Sequence, residues 1–344
     1  MDIVFSPAHR RQHGQAELTD GRLVPVYEHP GRLDAVLEEL ARRGFPAPVE
    51  PEDHGLDPLV AVHDPAYVTF LQCAWDEWVA AHGPAHDALP LSWRAPGMRE
   101  DREPTRIDGR LGYWSFDAGT PVTAGTWAAA YSAAQAADTA RRRVSAGARA
   151  AFALARPPGH HAGSRFFGGY CFLNGAAISA QGFRDAGVER VAVLDVDYHH
   201  GNGTQQIFAG RPDVFTVSLH ADPSFCFPFF LGHADETEGG THLNLPLPKG
   251  TDWPRYLPAL ETALARIGEQ EPGALVVSLG VDTWDGDPIS SFKLQTADYR
   301  RMARRIGALG LPTVVVMEGG YAVETIGANV AEFLEGFEET PAAT

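Results

Sequence analysis

Apolar and polar positions alternate between two textures along the 344-residue chain. Short runs are predominantly apolar and rich in Val, Ala and Leu: "DIVF" near the start, "AFALA" (151–155), "RVAVLDV" (190–196), "VFTVSL" (214–219), "ALVVSL" (274–279) and "TVVVM" (313–317). Continuous apolar runs of this length mark strands of a parallel sheet buried on both faces. Between them, residues 32–44, 126–143, 256–268 and 298–310 carry helical patterns, with Gly44 and Gly310 as stops. The alternation predicts a single α/β domain over residues 1–344, doubly wound, with a mainly parallel multi-stranded sheet flanked by helices.

One stretch breaks the pattern. Residues 83–121 hold five prolines and show neither period. A loop of this length inside a compact domain is functional or disordered, and Trp93, Tyr113, Trp114 and Phe116 favour an ordered insertion that packs on something, a second subunit included.

Composition narrows the picture modestly. With 44% hydrophobic and 21% charged residues the chain is globular, and a net charge of −16 opposes nucleic-acid binding while suiting a cationic small substrate. Cys73, Cys171 and Cys226 form no disulfide framework, as in a reducing compartment. There is no apolar run of roughly 18 residues and no signal-like start, so a cytoplasmic protein without membrane contact is expected.

The chemistry gathers where the strands end, which is where open parallel sheets build sites. "AFALA" is followed by "RPPGHHAG", "RVAVL" by "DVDYHHGNG", "ALVVSLG" by "VDTWDGDP", and "TVVVM" by "EGGY". In an extended chain Asp195, Asp197 and His199 share one face and His200 the other. Asp197 and His199 lie furthest past the apolar run and are the first choices as metal ligands, with Asp282 as a third from a neighbouring strand. Two carboxylates and one imidazole leave coordination positions open, as a catalytic divalent site requires. Asp285 and Asp287, in the turn "WDGDP", read as turn formers. His160 and His161 suit two separate tasks, one as general base and the other as electrostatic partner. Tyr321 can offer a hydroxyl to a developing oxyanion.

These motifs, "RPPGHHA", "GGYCFLN", "DVDYHHGNGTQ", "VSLH", "GVDTWDGDP" and "EGGY", occur in one order from about 156 to 321. In them the chain resembles the zinc-dependent histone deacetylase family, most closely its bacterial acetylpolyamine amidohydrolase branch, to which "FPFFLG" (227–232) and the long insertion also lean. The resemblance implies a zinc-dependent deacetylase acting on small acetylated amines, with protein or peptide acetyl-lysine as the alternative substrate. It implies one Zn2+ per subunit on Asp197, His199 and Asp282, with His161 as base, His160 as its electrostatic partner and Tyr321 as oxyanion donor. Asp195 and Asn202 would support the histidines. Gly169, Tyr170, Phe225 and Ile289 would line a narrow channel. A structural K+ would sit on Asp195, Asp197, His199, Ser218 and Leu219, and a homodimer would form through residues 83–121.

Two positions differ within the family. Asn202 stands where many protein-directed members carry Asp, and Ile289 is not the acidic gatekeeper of a polyamine-specific eukaryotic relative. An acid that recognises a distal ammonium would then be sought among Glu17, Asp108, Asp117, Asp235, Glu236 and Glu238. A two-manganese hydrolase of arginase type is the competing metal chemistry, but Asp285 follows Asp282 by three residues, not two as in an Asp-x-Asp pair on one strand face. A binding module that kept the fold without catalysis is the non-enzymatic alternative.

Overall fold

The computed structural model describes residues 1–19 and 21–341. In chain order the first half comprises β1 (Asp2–Phe5), β2 (Glu17–Thr19), β3 (Arg22–Val24), α1 (Gly31–Arg42), α2 (Asp57–Val60), α3 (Pro65–His82), α4 (Ile107–Trp114), α5 (Thr126–Ser145), β4 (Ala150–Leu154) and α6 (Gly175–Asp185). The second half comprises β5 (Val191–Asp195), α7 (Asn202–Phe208), β6 (Val214–Ala221), β7 (His242–Leu247), α8 (Trp253–Glu269), β8 (Ala274–Leu279), α9 (Thr296–Gly307), β9 (Thr313–Met317) and α10 (Val323–Glu338).

Seven strands form one sheet in the order β1-β4-β9-β8-β5-β6-β7, and every pair is parallel. Strands β4, β5, β8 and β9 are buried along their whole length. One core layer lies on each face of the sheet: Leu194, Val277 and Val315 face one, Val193, Val276 and Val314 the other. The chain passes from β4 to β5 across two strand positions that β8 and β9 fill later, which opens a crevice at the carboxyl ends of these four neighbours.

The structure extends the sequence-based expectation in three places. β7 completes one edge, and β2 with β3 makes a small antiparallel hairpin. The insertion at 83–121 is not wholly loop: it contains α4, whose Trp114 is buried against Tyr67 and Phe70 of α3. Tyr113 and Trp114 of the insertion therefore pack in this chain's own core.

Candidate active site

Strand β5 stops at Asp195, and the next residues bend, which corrects the expectation of an extended run to His199. Side-chain carboxylates set the bend. Asp195 accepts the Asp197 N–H at 3.0 Å, and Asp197 accepts the His199 N–H at 2.8 Å, two successive Asx-type bonds. The turn still brings Asp197 and His199 together, and β8 delivers Asp282 to them: His199 Nδ1 lies 3.1 Å from one Asp282 oxygen and 3.4 Å from one Asp197 oxygen.

These three side chains are buried, and one potential ligand atom from each lies within 4.8 Å of the others. Burial and the neighbouring Asp197 push the Asp282 carboxyl up to about 7, so two buried carboxylates face each other with little water to screen them. A divalent cation would relieve that repulsion, and an O/O/N donor set accepts zinc. Gly319 leaves room for this arrangement: a Cβ there would lie 2.6 Å from Asp197 and 2.7 Å from Asp282.

The loop after β4 carries His160 and His161, and the two rings live in opposite environments. His160 Nδ1 is 2.9 Å from Asp195, and its Nε2 is 3.7 Å from Asp197. Burial opposes its charge, but Asp197 and Asp195 prevail and push it up to about 10, which favours the imidazolium form. His161 is held well below the ordinary imidazole range by burial, then by the charges of His160 and His199. Its Nδ1 lies 2.7 Å from the Asn202 side-chain oxygen, an acceptor only, which places the proton on Nδ1 and leaves Nε2 free as a base.

After β9 come Glu318 and Tyr321. The buried Glu318 carboxylate accepts the backbone N–H groups of Gly159 and His160 at 2.7 and 3.1 Å, tying the histidine loop to the β9 end. Arg32 of α1 donates to the Gly320 and Glu318 carbonyls at 2.6 Å, and its guanidinium lies 4.6 Å from the Tyr321 ring centroid. Asp287 accepts the Tyr321 and Ala322 N–H groups at 2.7 and 3.2 Å. It is a buried anchor of the tyrosine loop, so the assignment of Asp287 as a turn former alone is corrected; Asp285 stays exposed in the turn.

A cavity of about 630 Å³ leads to this centre, lined by His161, His199 and Tyr321 at depth. Gly169, Tyr170, Phe225 and Ile289 all line it, as does Phe227, whose ring centroid is 5.1 Å from that of His161. Gly169 and Tyr170 both have positive φ, 55° and 67°, and a Cβ on Gly169 would meet His161 Cδ2 at 2.2 Å. The insertion clamps this strained pair: Asp117 accepts the Gly169 N–H, and Thr120 accepts the Tyr170 N–H at 2.9 Å.

Of the six acids considered from sequence, Glu17 and Asp117 line the cavity. Glu17 accepts the Tyr170 hydroxyl at 2.9 Å. Glu236 instead binds Gly232 and Gln205, and Asp108 pairs with His82. Asp235 and Glu238 are exposed and do not line the cavity. Ser218 stands beside Asp195 in the β5–β6 register and next to the buried Leu219, while its hydroxyl is 2.8 Å from His220 Nδ1.

Several site residues were not singled out from the sequence: Glu318, Arg32, Phe227 and the role of Asp287. "EGGY" and "FPFFLG" were noted as motifs, but a carboxylate whose donors are backbone N–H groups and one serine hydroxyl from a neighbouring strand has no spacing signal of its own.

Four adjacent parallel strands whose ends carry a buried Asp/His/Asp set, a neutral histidine beside a charged one, and a cavity-facing tyrosine define a metal-dependent hydrolase. Comparison with known proteins is specific. The histone deacetylase domain matches residues 26–337. Acetylpolyamine amidohydrolase 2 of Pseudomonas aeruginosa is 51% identical over 98% of this chain and 99% of its own, and the acetylpolyamine amidohydrolase of Mycoplana ramosa is 48% identical over 98% and 99%. The crystal structure of the acetylpolyamine aminohydrolase from Burkholderia pseudomallei superposes with a TM-score of 0.94 at 40% identity, covering 98% of this chain and 99% of that one. The chain belongs to the histone deacetylase family.

Proposed function

We propose that the protein removes acetyl groups from small cationic amines such as acetylated polyamines, with one zinc ion per chain held by Asp197, His199 and Asp282. The observation that carries this reading is the buried Asp/His/Asp set beside a neutral His161 and Tyr321, at the base of a cavity whose wall holds the carboxylates of Glu17 and Asp117. A bound zinc ion supplies Lewis acidity, polarising the acetyl carbonyl and acidifying water.

The chain's own groups do the rest. His161 Nε2 takes the proton of the attacking water while its Nδ1–H stays on Asn202. Tyr321 donates its hydroxyl to the oxyanion formed at the carbonyl carbon. The C–N bond then breaks, His161 returns the proton to the leaving amine, and acetate remains. His160 lies between Asp195 and Asp197, which favour its charged form and suit it to an electrostatic role rather than that of the base. Gly169, Tyr170, Phe225, Phe227 and Ile289 confine the aliphatic chain, and Glu17 and Asp117 are the two wall carboxylates toward which a distal ammonium can turn.

Three further parts belong to the reading: a structural K+ on Asp195, Asp197, His199, Ser218 and Leu219; a homodimer through residues 83–121; and a cytoplasmic location, for which the three free thiols speak. Among the described residues no helix is long and apolar enough to cross a membrane. The decisive experiment compares turnover of N-acetylputrescine, N-acetylcadaverine and an acetyl-lysine peptide by the zinc-loaded enzyme. Faster turnover of the amines is expected; faster turnover of the peptide would overturn the substrate and keep the chemistry. Light scattering checks the dimer.

A further inference from the structure

The chain uses arginine for nearly all of its cations; Lys249 and Lys293 are its two lysines. Lys249 follows β7 and lines the mouth of the active-site cavity, the only Lys or Arg to do so among the described residues. Its side chain is exposed, and it figures in none of the ion pairs or side-chain hydrogen bonds of the described residues, whereas most of the arginines are paired with carboxylates. The Lys249 ammonium instead lies 4.9 Å from the centroid of the Phe225 ring.

That placement has two consequences for a cationic substrate. A ring face is an attractive seat for an ammonium, and here a resident ammonium already occupies one on the channel wall. A second positive charge entering past Phe225 also meets like charge. Glu17 does not cancel this repulsion, because its carboxylate is already engaged by Tyr170, Thr19 and the Tyr27 N–H, and burial raises its pKa.

We propose that Lys249 is a specificity-determining residue that filters substrates by charge, admitting acetylated diamines with one ammonium beyond the amide and disfavouring acetylated tri- and tetraamines. This rests on the small-amine reading of the same site. The first ammonium sits one aliphatic spacer from the amide, inside the channel; each further one must lie nearer the mouth, where Lys249 is exposed. Repulsion between like charges at a wet rim corresponds to a discrimination of a few-fold to roughly tenfold, and salt weakens it.

The test measures kcat/KM of the zinc-loaded full-length enzyme for N-acetylputrescine and N8-acetylspermidine, in the parent, Lys249→Met and Lys249→Glu, at low and high ionic strength. Met keeps an apolar stem over Phe225 without the charge. The expected result is a parental preference for acetylputrescine that shrinks about threefold in Lys249→Met and further in Lys249→Glu, mainly through KM for acetylspermidine, with the differences compressed at high salt. A preference that stays the same in both variants, or that changes equally at both ionic strengths, overturns the filter and leaves the small-amine reading standing. Turnover of acetyl-lysine peptides with neither amine processed by the parent would overturn that reading and the filter together.

Discussion

Adjacent residues of one sequence motif differ in protonation because their partners arrive from different strands. His160 meets Asp195 and Asp197, whereas His161 meets the neutral amide of Asn202. A base held below its ordinary range stays neutral across physiological pH, so the acid limb of kcat/KM should lie below the free imidazole value. Asn202→Asp places an anion on Nδ1, favours the charged ring and should move that limb up by about one pH unit. A pH–rate profile of parent and variant checks this, and superimposable acid limbs would refute it. Tyr321→Phe should lower kcat by roughly 10²–10³ with little change in KM, since the hydroxyl acts on the transition state. Asp287→Ala frees the Tyr321 and Ala322 N–H groups and should cost roughly 10-fold or more in kcat. Because Asp287 acts through Tyr321, the two losses should be far from additive in the double variant. That Asp197, His199, Asp282, the histidine pair and Tyr321 gather in one place was legible in the sequence, since each follows an apolar run or sits in a motif. Asp287 does cap its own turn by accepting the Ile289 N–H, but its anchoring of Tyr321 and Ala322 was not legible, because those partners lie 34 and 35 residues away in sequence.

At the scale of elements, the legible strands were those buried on both faces. β4, β5, β8 and β9 are mostly apolar, buried along their whole length, and came out of the sequence within a residue or two. β7 did not, because "HLNLPL" mixes polar residues with Pro246; it pairs only with β6, and an edge strand tolerates a proline that cannot donate. The hairpin of β2 and β3 escaped notice with exposed Leu18 and Leu23, although "DG" at 20–21 is a turn signal. Within the insertion, α4 is eight residues long, too short for its period to stand out among the prolines. What these elements share at the centre is the charge gathered by the ends of β5 and β8. Removing the metal should therefore leave Asp197 and Asp282 buried without a counter-cation. Chelator-treated protein should melt several degrees below the zinc-loaded form and recover on zinc addition, as binding to the folded state alone requires. Equal melting temperatures would show that these carboxylates are not held by a metal.

The whole molecule carries a second acid sensitivity, away from the carboxylates. His63 is buried between two loops that frame the site: its Nδ1 lies 2.9 Å from the Gly163 carbonyl and so donates, while its Nε2 accepts the Asn174 N–H at 3.0 Å. His220 is likewise enclosed, with Nε2 2.8 Å from the Gly232 carbonyl and Nδ1 2.8 Å from the Ser218 hydroxyl. Burial holds both down to about 4, from an ordinary 6.5. The unfolded chain takes up these protons first, so the stabilising contribution is complete above 6.5 and is lost as pH falls toward 4. At pH 5 the loss approaches about 2 kcal/mol per histidine if the whole shift is expressed. The net charge of −16 works the other way, since repulsion among carboxylates eases on acidification; a fall in stability that begins near pH 6.5 therefore points to the buried imidazoles. His63→Gln keeps a donor and an acceptor but cannot take up a proton. Urea unfolding at pH 7 and pH 5 should show the variant losing less stability than the parent over that interval, by about 1–2 kcal/mol. If both lose the same amount, the His63 ring is not the group that titrates.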